Sequence, residues 1–184
     1  MDEKRILRPI LPTVFEKTIL IDEIENYDVV ENMVFKNIKI IRALYGVEFR
    51  HCKFIDVDFS TSNSENIHFI HCYFEHSDLS NLDLSATTLH TIEMKDCKLV
   101  GTDVSKSSIR DITLNHCMAR YMNFNFATME NSNIENSNLQ EVSMNNVILK
   151  KVYLEDTDFK GSEFLHTKLK QIDLSTCNMK EIKI

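Results

Sequence analysis

The stretch "FRHCKFIDVDF", residues 49–59, places a phenylalanine at every fifth position: Phe49, Phe54 and Phe59. The same phase continues to Ile184 through residues such as Phe69, Phe74, Leu79, Leu99, Leu139 and Phe159, and of its 28 positions 26 are large and apolar, Ser64 and Ala119 being the exceptions. The residues two places earlier, from Val47, Cys52 and Val57 to Ile172, Cys177 and Ile182, form a second series. None of the 56 positions in the two series is Asp, Glu, Lys or Arg, where a chain with 27% charged residues would place about 15 by chance. An unpaired ion in a dry interior is costly, so both series face inward.

A helix repeats its apolar residues every three or four positions and a plain strand every second one, so a sustained five fits neither. Each pentad therefore makes one short extended step, with inward side chains at its first and third places, and then a corner. Gly46, Gly101 and Gly161 all fall on the fifth place, where a corner most needs backbone freedom. With 3 glycines and 2 prolines, against about 13 and 9 for average usage, the chain must otherwise turn by some device other than ordinary turn residues. A longer period lies on top: Cys52 and Cys72, Phe54 and Phe74, His51 and His71, and Cys97 and Cys117 are each twenty apart. Four pentads then make one coil, like residues stack from coil to coil, and seven coils at about 4.8 Å each give a rod of about 34 Å.

The pentads "SDLSN" (77–81), "LDLSA" (82–86), "CKLVG" (97–101) and "TDFKG" (157–161) resemble the pentapeptide repeat family, whose unit is a small residue, Asp or Asn, Leu or Phe, a polar residue, then Gly or another. The resemblance covers residues 47–184 and implies an all-β fold, a right-handed quadrilateral β-helix, here of about seven regular coils plus an irregular N-terminal one. It departs from the family at the first place, which is bulky at Ile67, Leu82, Ile92, Ile112, Met122, Ile172 and Ile182; wider or less regular coils are expected there. The Qnr-type branch of the family protects DNA gyrase and topoisomerase from quinolones by imitating duplex DNA, which implies a bacterial, non-enzymatic, protein-binding solenoid.

Two regions follow: 1–46, an N-terminal arm and irregular first coil or cap, and 47–184, the β-helix. Met33 with Phe35 and Ile38 with Ile40 look like further pentads one residue out of phase with Phe49, placing a deletion or distortion in "KIIRALYGV". Residues 1 to about 14, with Pro9 and Pro12, read as an extended arm or cap. At the other end "MKEIKI" keeps Ile182 and Ile184 in phase with no cap behind them. Solenoid ends need covering, so an end-to-end homodimer through Met179, Ile182 and Ile184 is expected.

Charge and composition bound the function. No run of about 18 apolar residues exists, and "MDEKRILRPILPTVF" is broken by charge and proline before a signal core could form. Five cysteines, an odd number, read as free thiols in a reducing compartment, hence the cytoplasm. A net charge of -7 argues against direct nucleic-acid or anionic-membrane binding. The face centred on Phe54, Phe74 and their successors carries Lys53 and Lys95 against Asp56, Glu75, Glu93, Asp96, Glu135, Glu155, Asp156 and Asp173, a net -6. The face centred on Phe49 through Leu169 carries Arg50, Arg110, Lys150, Lys151, Lys168 and Lys170 against Glu48, Asp111 and Glu130, a net +3. The acidic face is the candidate partner surface. Met118, Tyr121 and Phe126, outward around the weak centre Ala119, form a candidate apolar patch, with Ile148 and Tyr153 further on.

The neighbouring His-Cys pairs, His51–Cys52, His71–Cys72 and His116–Cys117, invite a metal reading. Each cysteine takes the inward first place and each histidine the outward fifth, however, and a joint site needs about four converging ligands. No catalytic, cofactor or metal residue is assigned, and a convex rod offers no cleft to perturb a carboxylate. The expected function is a cytoplasmic protein-binding solenoid acting on type II topoisomerase by partial DNA mimicry; the alternative is a scaffold with another protein partner.

Overall fold

A pentad by itself leaves its backbone polar groups unpaired, and stacking supplies the partners. The computed structural model describes residues 6–15 and 21–184. The strands are β1 (Val29–Glu31), β2 (Val34–Lys39), β3 (Glu48–Arg50), β4 (Lys53–Asp58), β5 (His68–Glu75), β6 (Thr88–Lys95), β7 (Ser108–Asn115), β8 (Thr128–Glu135) and β9 (Ile148–Glu155). All pair in parallel as one sheet wound into a right-handed quadrilateral β-helix, with β1-β3-β5-β6-β7-β8-β9 along one path and β2-β4-β5 beside it. The other walls are held by single bridges, such as Asp78↔Lys98 and Asp83↔Asp103. Among the described residues there is no α-helix, and one 3₁₀ turn spans Ile21–Glu23.

From β3 onward each residue pairs with the one twenty further on, as Phe49↔Phe69 and Leu89↔Ile109 do. The bulky first places Ile92 and Ile112 keep that register, Ile92↔Ile112, so the large side chains there do not change the length of a coil. The first coil is one residue shorter: Val29↔Glu48 and Lys39↔Asp58 are nineteen apart, whereas Tyr45↔Glu65 are twenty apart. The missing residue therefore lies between Lys39 and Tyr45, within the stretch where the phase slips. This coil still feeds the same core through Ile24, Val30, Phe35, Ile40 and Leu44.

The corners explain how the chain turns with so little glycine. Of the fifth-place residues from Gly46 to Glu181, 26 have positive φ, Thr61 and Thr176 being the exceptions. Fourteen of the 23 that are not glycine are Asn, Asp or His, the side chains that best tolerate the left-handed region. Glycine is demanded at Gly46, where φ is +68° and an added Cβ would stand 2.5 Å from Tyr27 Cδ1. Second-place Asp and Asn help close the turns: the Oδ1 atoms of Asp78, Asp83, Asp103 and Asp158 accept the amides of Ser80, Ser85, Ser105 and Lys160. These Asx turns replace turn glycines and prolines. Corner amides donate along the rod axis, as Asn81 to Val100 O and Tyr121 to Gln140 O do, which leaves them satisfied inside a tight coil.

Inside, the third-place residues stack. Phe35, Phe54 and Phe74 form one column with ring centroids 5.0 and 4.6 Å apart, and Phe49 on Phe69 forms a second at 5.5 Å. First-place hydroxyls reach back to the carbonyl 23 residues earlier: Thr102 to Leu79 O at 2.8 Å, Ser107 to Leu84 O at 2.6 Å, Ser162 to Leu139 O at 3.0 Å. The cysteines do the same, Cys72 to Phe49 O at 3.3 Å and Cys117 to Met94 O at 3.6 Å. Cys52 reaches Val30 O, 22 residues back, because the coil beneath it is the short one.

Candidate functional site

Opposite charge meets along an edge. The basic face centred on Phe49 and the acidic face centred on Phe54 are consecutive walls, joined at the corner column His51, His71, Thr91, Asp111 and Asn131. In β5 to β9 the strand pairing continues on both sides of this corner, whose residues turn at positive φ, so the two walls form one bent sheet.

On the acidic wall Asp56, Asp96, Glu155, Asp156 and Asp173 are exposed, and Glu75, Glu93 and Glu135 are half-buried. Several are already engaged. His76 stands between Asp56 and Asp96, with Nδ1 4.0 Å from one and Nε2 3.7 Å from the other. Lys95 Nζ lies 3.9 Å from Glu75, and Asn115 donates to Glu135 at 2.8 Å. Asp173 accepts the Ser175 amide, which holds its carboxyl below the usual range. The wall thus presents a line of carboxylates along the rod, with its positive neighbours interleaved at the N-terminal half.

The seam itself is covered. Residues 6–15 lie across it: the Leu7 amide donates to Asp111 Oδ1 at 3.4 Å, and His51 Nδ1 donates to Ile10 O at 2.7 Å. Four extended residues reach about 13 Å, and the three coils from His51 to Asp111 rise about 14 Å, so the segment runs lengthwise with its chain direction opposed to the stacking. It is an arm laid along the side of the rod. Beneath it Thr91 is 0% exposed and Asp111 2%, although fifth-place residues such as Lys106, His116 and Phe126 are exposed. Asp111 also accepts from Asn131 Nδ2, and it lies 3.6 Å from both His90 Nε2 and Arg110 Nε. His71 stacks on His51 with centroids 4.9 Å apart and planes 5° from parallel. His71 Nδ1 and Thr91 Oγ1 are buried without a hydrogen-bond partner. Nothing in the pentad pattern marks this site, because the fifth place faces outward and its burial comes from a segment about a hundred residues away.

In each His-Cys pair the two side chains face opposite sides of the wall. Cys52, Cys72, Cys97 and Cys117 are buried and Cys177 is half-buried; burial pushes the Cys97 thiol up to about 12 and Cys117 up to about 11. Such thiols are poor nucleophiles and poor ligands.

Met118, Tyr121 and Phe126 are exposed, at 50, 49 and 60%. Arg120 lies over the Tyr121 ring, 4.9 Å from its centre, and bonds both Tyr121 Oη and Glu141 at 2.9 Å. Met118 and Tyr121 lie on the Ala119 wall and Phe126 at the next corner. At the C-terminal end Met179 and Ile182 are half-buried and Ile184 is 78% exposed.

The expectation of a rod without a cleft fails at its last coil. Asp158↔Asn178 and Glu163↔Lys183 continue the stacking on two walls, but no strand follows β9 on the bent sheet. Thr167 Oγ1 accepts the Val147 amide as other first-place hydroxyls do along the rod, and Thr176 Oγ1 takes the Asp156 amide in place of a backbone carbonyl. The gap is a cleft of about 660 Å³ lined by Lys150, Lys151, Tyr153, Lys170, Ile172 and Asp173 among others.

Residues 44–124 and 67–144 match the model described as the pentapeptide repeat region, and residues 137–175 match the model of pentapeptide repeats in eight copies. No curated protein matches the chain. Among solved structures it is similar to HetL, a pentapeptide repeat protein involved in heterocyst differentiation regulation in the cyanobacterium Nostoc sp. strain PCC 7120, at 12% identity over 86% of this chain and 87% of that one, with a TM-score of 0.46. It is similar to QnrB1, a plasmid-mediated fluoroquinolone resistance protein, at 20% identity over 84% and 82%, TM-score 0.34. A thylakoid-lumen pentapeptide repeat protein of Arabidopsis thaliana aligns at 22% identity over 47% and 63%, TM-score 0.24. At TM-scores below 0.5 these likenesses carry no argument about this chain.

Proposed function

The chain belongs to the pentapeptide repeat family, and from that premise we propose that it is a non-enzymatic, cytoplasmic, protein-binding solenoid whose acidic wall engages a type II topoisomerase by partial DNA mimicry. The observation that carries this reading is the run of carboxylates from Asp56 through Glu93, Asp96 and Glu135 to Asp156 on one wall of a straight, repeating rod. A surface of that kind fits a groove built to hold phosphates, where carboxylates replace the phosphate charge and exchange counterions with the lysines and arginines of the partner. The second copy in an end-to-end homodimer, joined through Met179, Ile182 and Ile184, would lengthen the acidic wall at the same charge density.

Charge density favours a second reading. Duplex DNA carries about 20 charges over 34 Å, whereas this wall nets -6. A scaffold that presents its walls to another protein partner, with no topoisomerase role, needs no such match. Gyrase supercoiling with and without a quinolone separates the two. The mimicry reading expects the protein to change either activity at tens of micromolar, and expects Glu93→Lys with Asp96→Lys to abolish the change; no effect at that concentration leaves the scaffold.

A further inference from the structure

Under the arm the packing carries a fault that a neutral histidine tolerates and a charged one does not. His71 is stacked on His51, 4.9 Å away, with the His90 ring tilted toward it at 6.0 Å, and its buried Nδ1 has no partner. The groups facing it from the surrounding elements are His51, His90 on β6, Asp111 on β7 and the arm. Within residues 6–15 the arm has a single charged residue, Arg8, so it brings no carboxylate to His71. Asp111 is the nearby anion, but its oxygens are taken by the Leu7 amide, Asn131, His90 and Arg110. A proton on His90 therefore meets a counter-charge, and one on His71 meets imidazoles and a desolvating cover.

We propose that residues 6–15 form a proton-released strap: on mild acidification a charge on His71 lifts the segment off the seam and bares His51, His71, Thr91 and Asp111. Lifting restores water to His71 Nδ1, to Thr91 Oγ1 and to a buried carboxylate, and it opens the edge where the acidic and basic walls meet. The strain at Thr91, a β-branched residue held at φ +55°, stays in the wall in either state and takes no part in the switch.

The direction follows from linkage. Burial first, then the charges of His51 and His90, hold His71 below the ordinary histidine value of 6.5, and Asp111 opposes them without prevailing. The lifted state binds the proton more readily, so docking is strongest above pH 6.5 and weakens as pH falls below it. When the docked state takes up no proton, the docking constant falls about tenfold for each pH unit below the free value, hence by about tenfold at pH 5.5.

The test is amide hydrogen exchange of the full chain followed residue by residue by NMR between pH 8 and 5, with rates divided by the intrinsic rate at each pH. The strap predicts that protection of the Leu7 amide falls by up to about tenfold between pH 7.5 and 5.5 while amides of β6 and β7 keep theirs. In His71→Asn, which tolerates the left-handed corner, Leu7 protection should not change with pH. A Leu7 protection that is level with pH in the wild type, a fall shared by β6 and β7, or a pH dependence that survives His71→Asn would each overturn the proposal. So would an imidazole titration of His71 above 6.5.

Discussion

Phe54→Ala cuts the aromatic column at its centre and asks whether the rod fails as a whole or coil by coil. Phe54 is 0% exposed, stacked on Phe35 and Phe74 at 5.0 and 4.6 Å, and edge-on to Phe49 and Phe69 at 5.3 and 5.7 Å. Truncating a core phenylalanine costs about 3–5 kcal/mol, and the two stacked partners belong to the coils on either side, so the loss falls on two successive interfaces. In a solenoid, stability is a sum of coil and neighbour terms. The first coil, one residue short and resting on β3 and β4, should then detach at a denaturant concentration that leaves β7 to β9 intact. At about 2 kcal/mol per molar urea, the midpoint for β1 and β2 should drop by about 2 M. Hydrogen exchange in graded urea reads this strand by strand. A loss below about 1 kcal/mol, or equal losses at β2 and β8, would refute the reasoning.

At Phe126, exposed and held at φ +63°, the left-handed backbone costs an ordinary side chain about 1 kcal/mol; Phe126→Asn should raise the thermal midpoint, and a lower midpoint would mean that the ring packs more than its exposure suggests. Acid should loosen the last coil first. Burial pushes Asp158 up, but bonds from Gln140, the Lys160 amide and Asn178 outweigh it, and Lys183 and Asn145 hold Glu163 down. Both carboxyls are thus lowered from their usual 3.8 and 4.5, so their stabilisation is complete at neutral pH and is lost as pH falls below that range toward their folded values. Protease cleavage near Asn178 to Ile184 should rise below about pH 4, before the β5 to β8 ladder changes; simultaneous loss of both would contradict it.

The pentad was legible because burial at the first and third places excludes charge without exception, and the short first coil was legible because Phe35 and Ile40 fall one residue out of phase. The corner histidines became intelligible only with backbone angles: five of the seven histidines sit at positive φ, which the outward fifth place permits but does not announce. Asp111 could not be read. Its burial comes from the Leu7 amide and the arm above it, contacts 104 residues apart that follow no period. The cleft beside β9 was equally silent, since Leu169, Ile172 and Leu174 keep the inward pattern even where the ladder beneath them has stopped.

That the acidic and basic walls share an edge has a consequence for approach. Charges of opposite sign on adjoining walls give the rod a dipole across its width, so a charged partner exerts a torque on it before any atoms touch. At physiological salt this torque acts within about 8 Å, less than two coil heights. Encounters are therefore turned to the correct wall in the last step of diffusion, and raising the salt should slow productive association more than it hastens release.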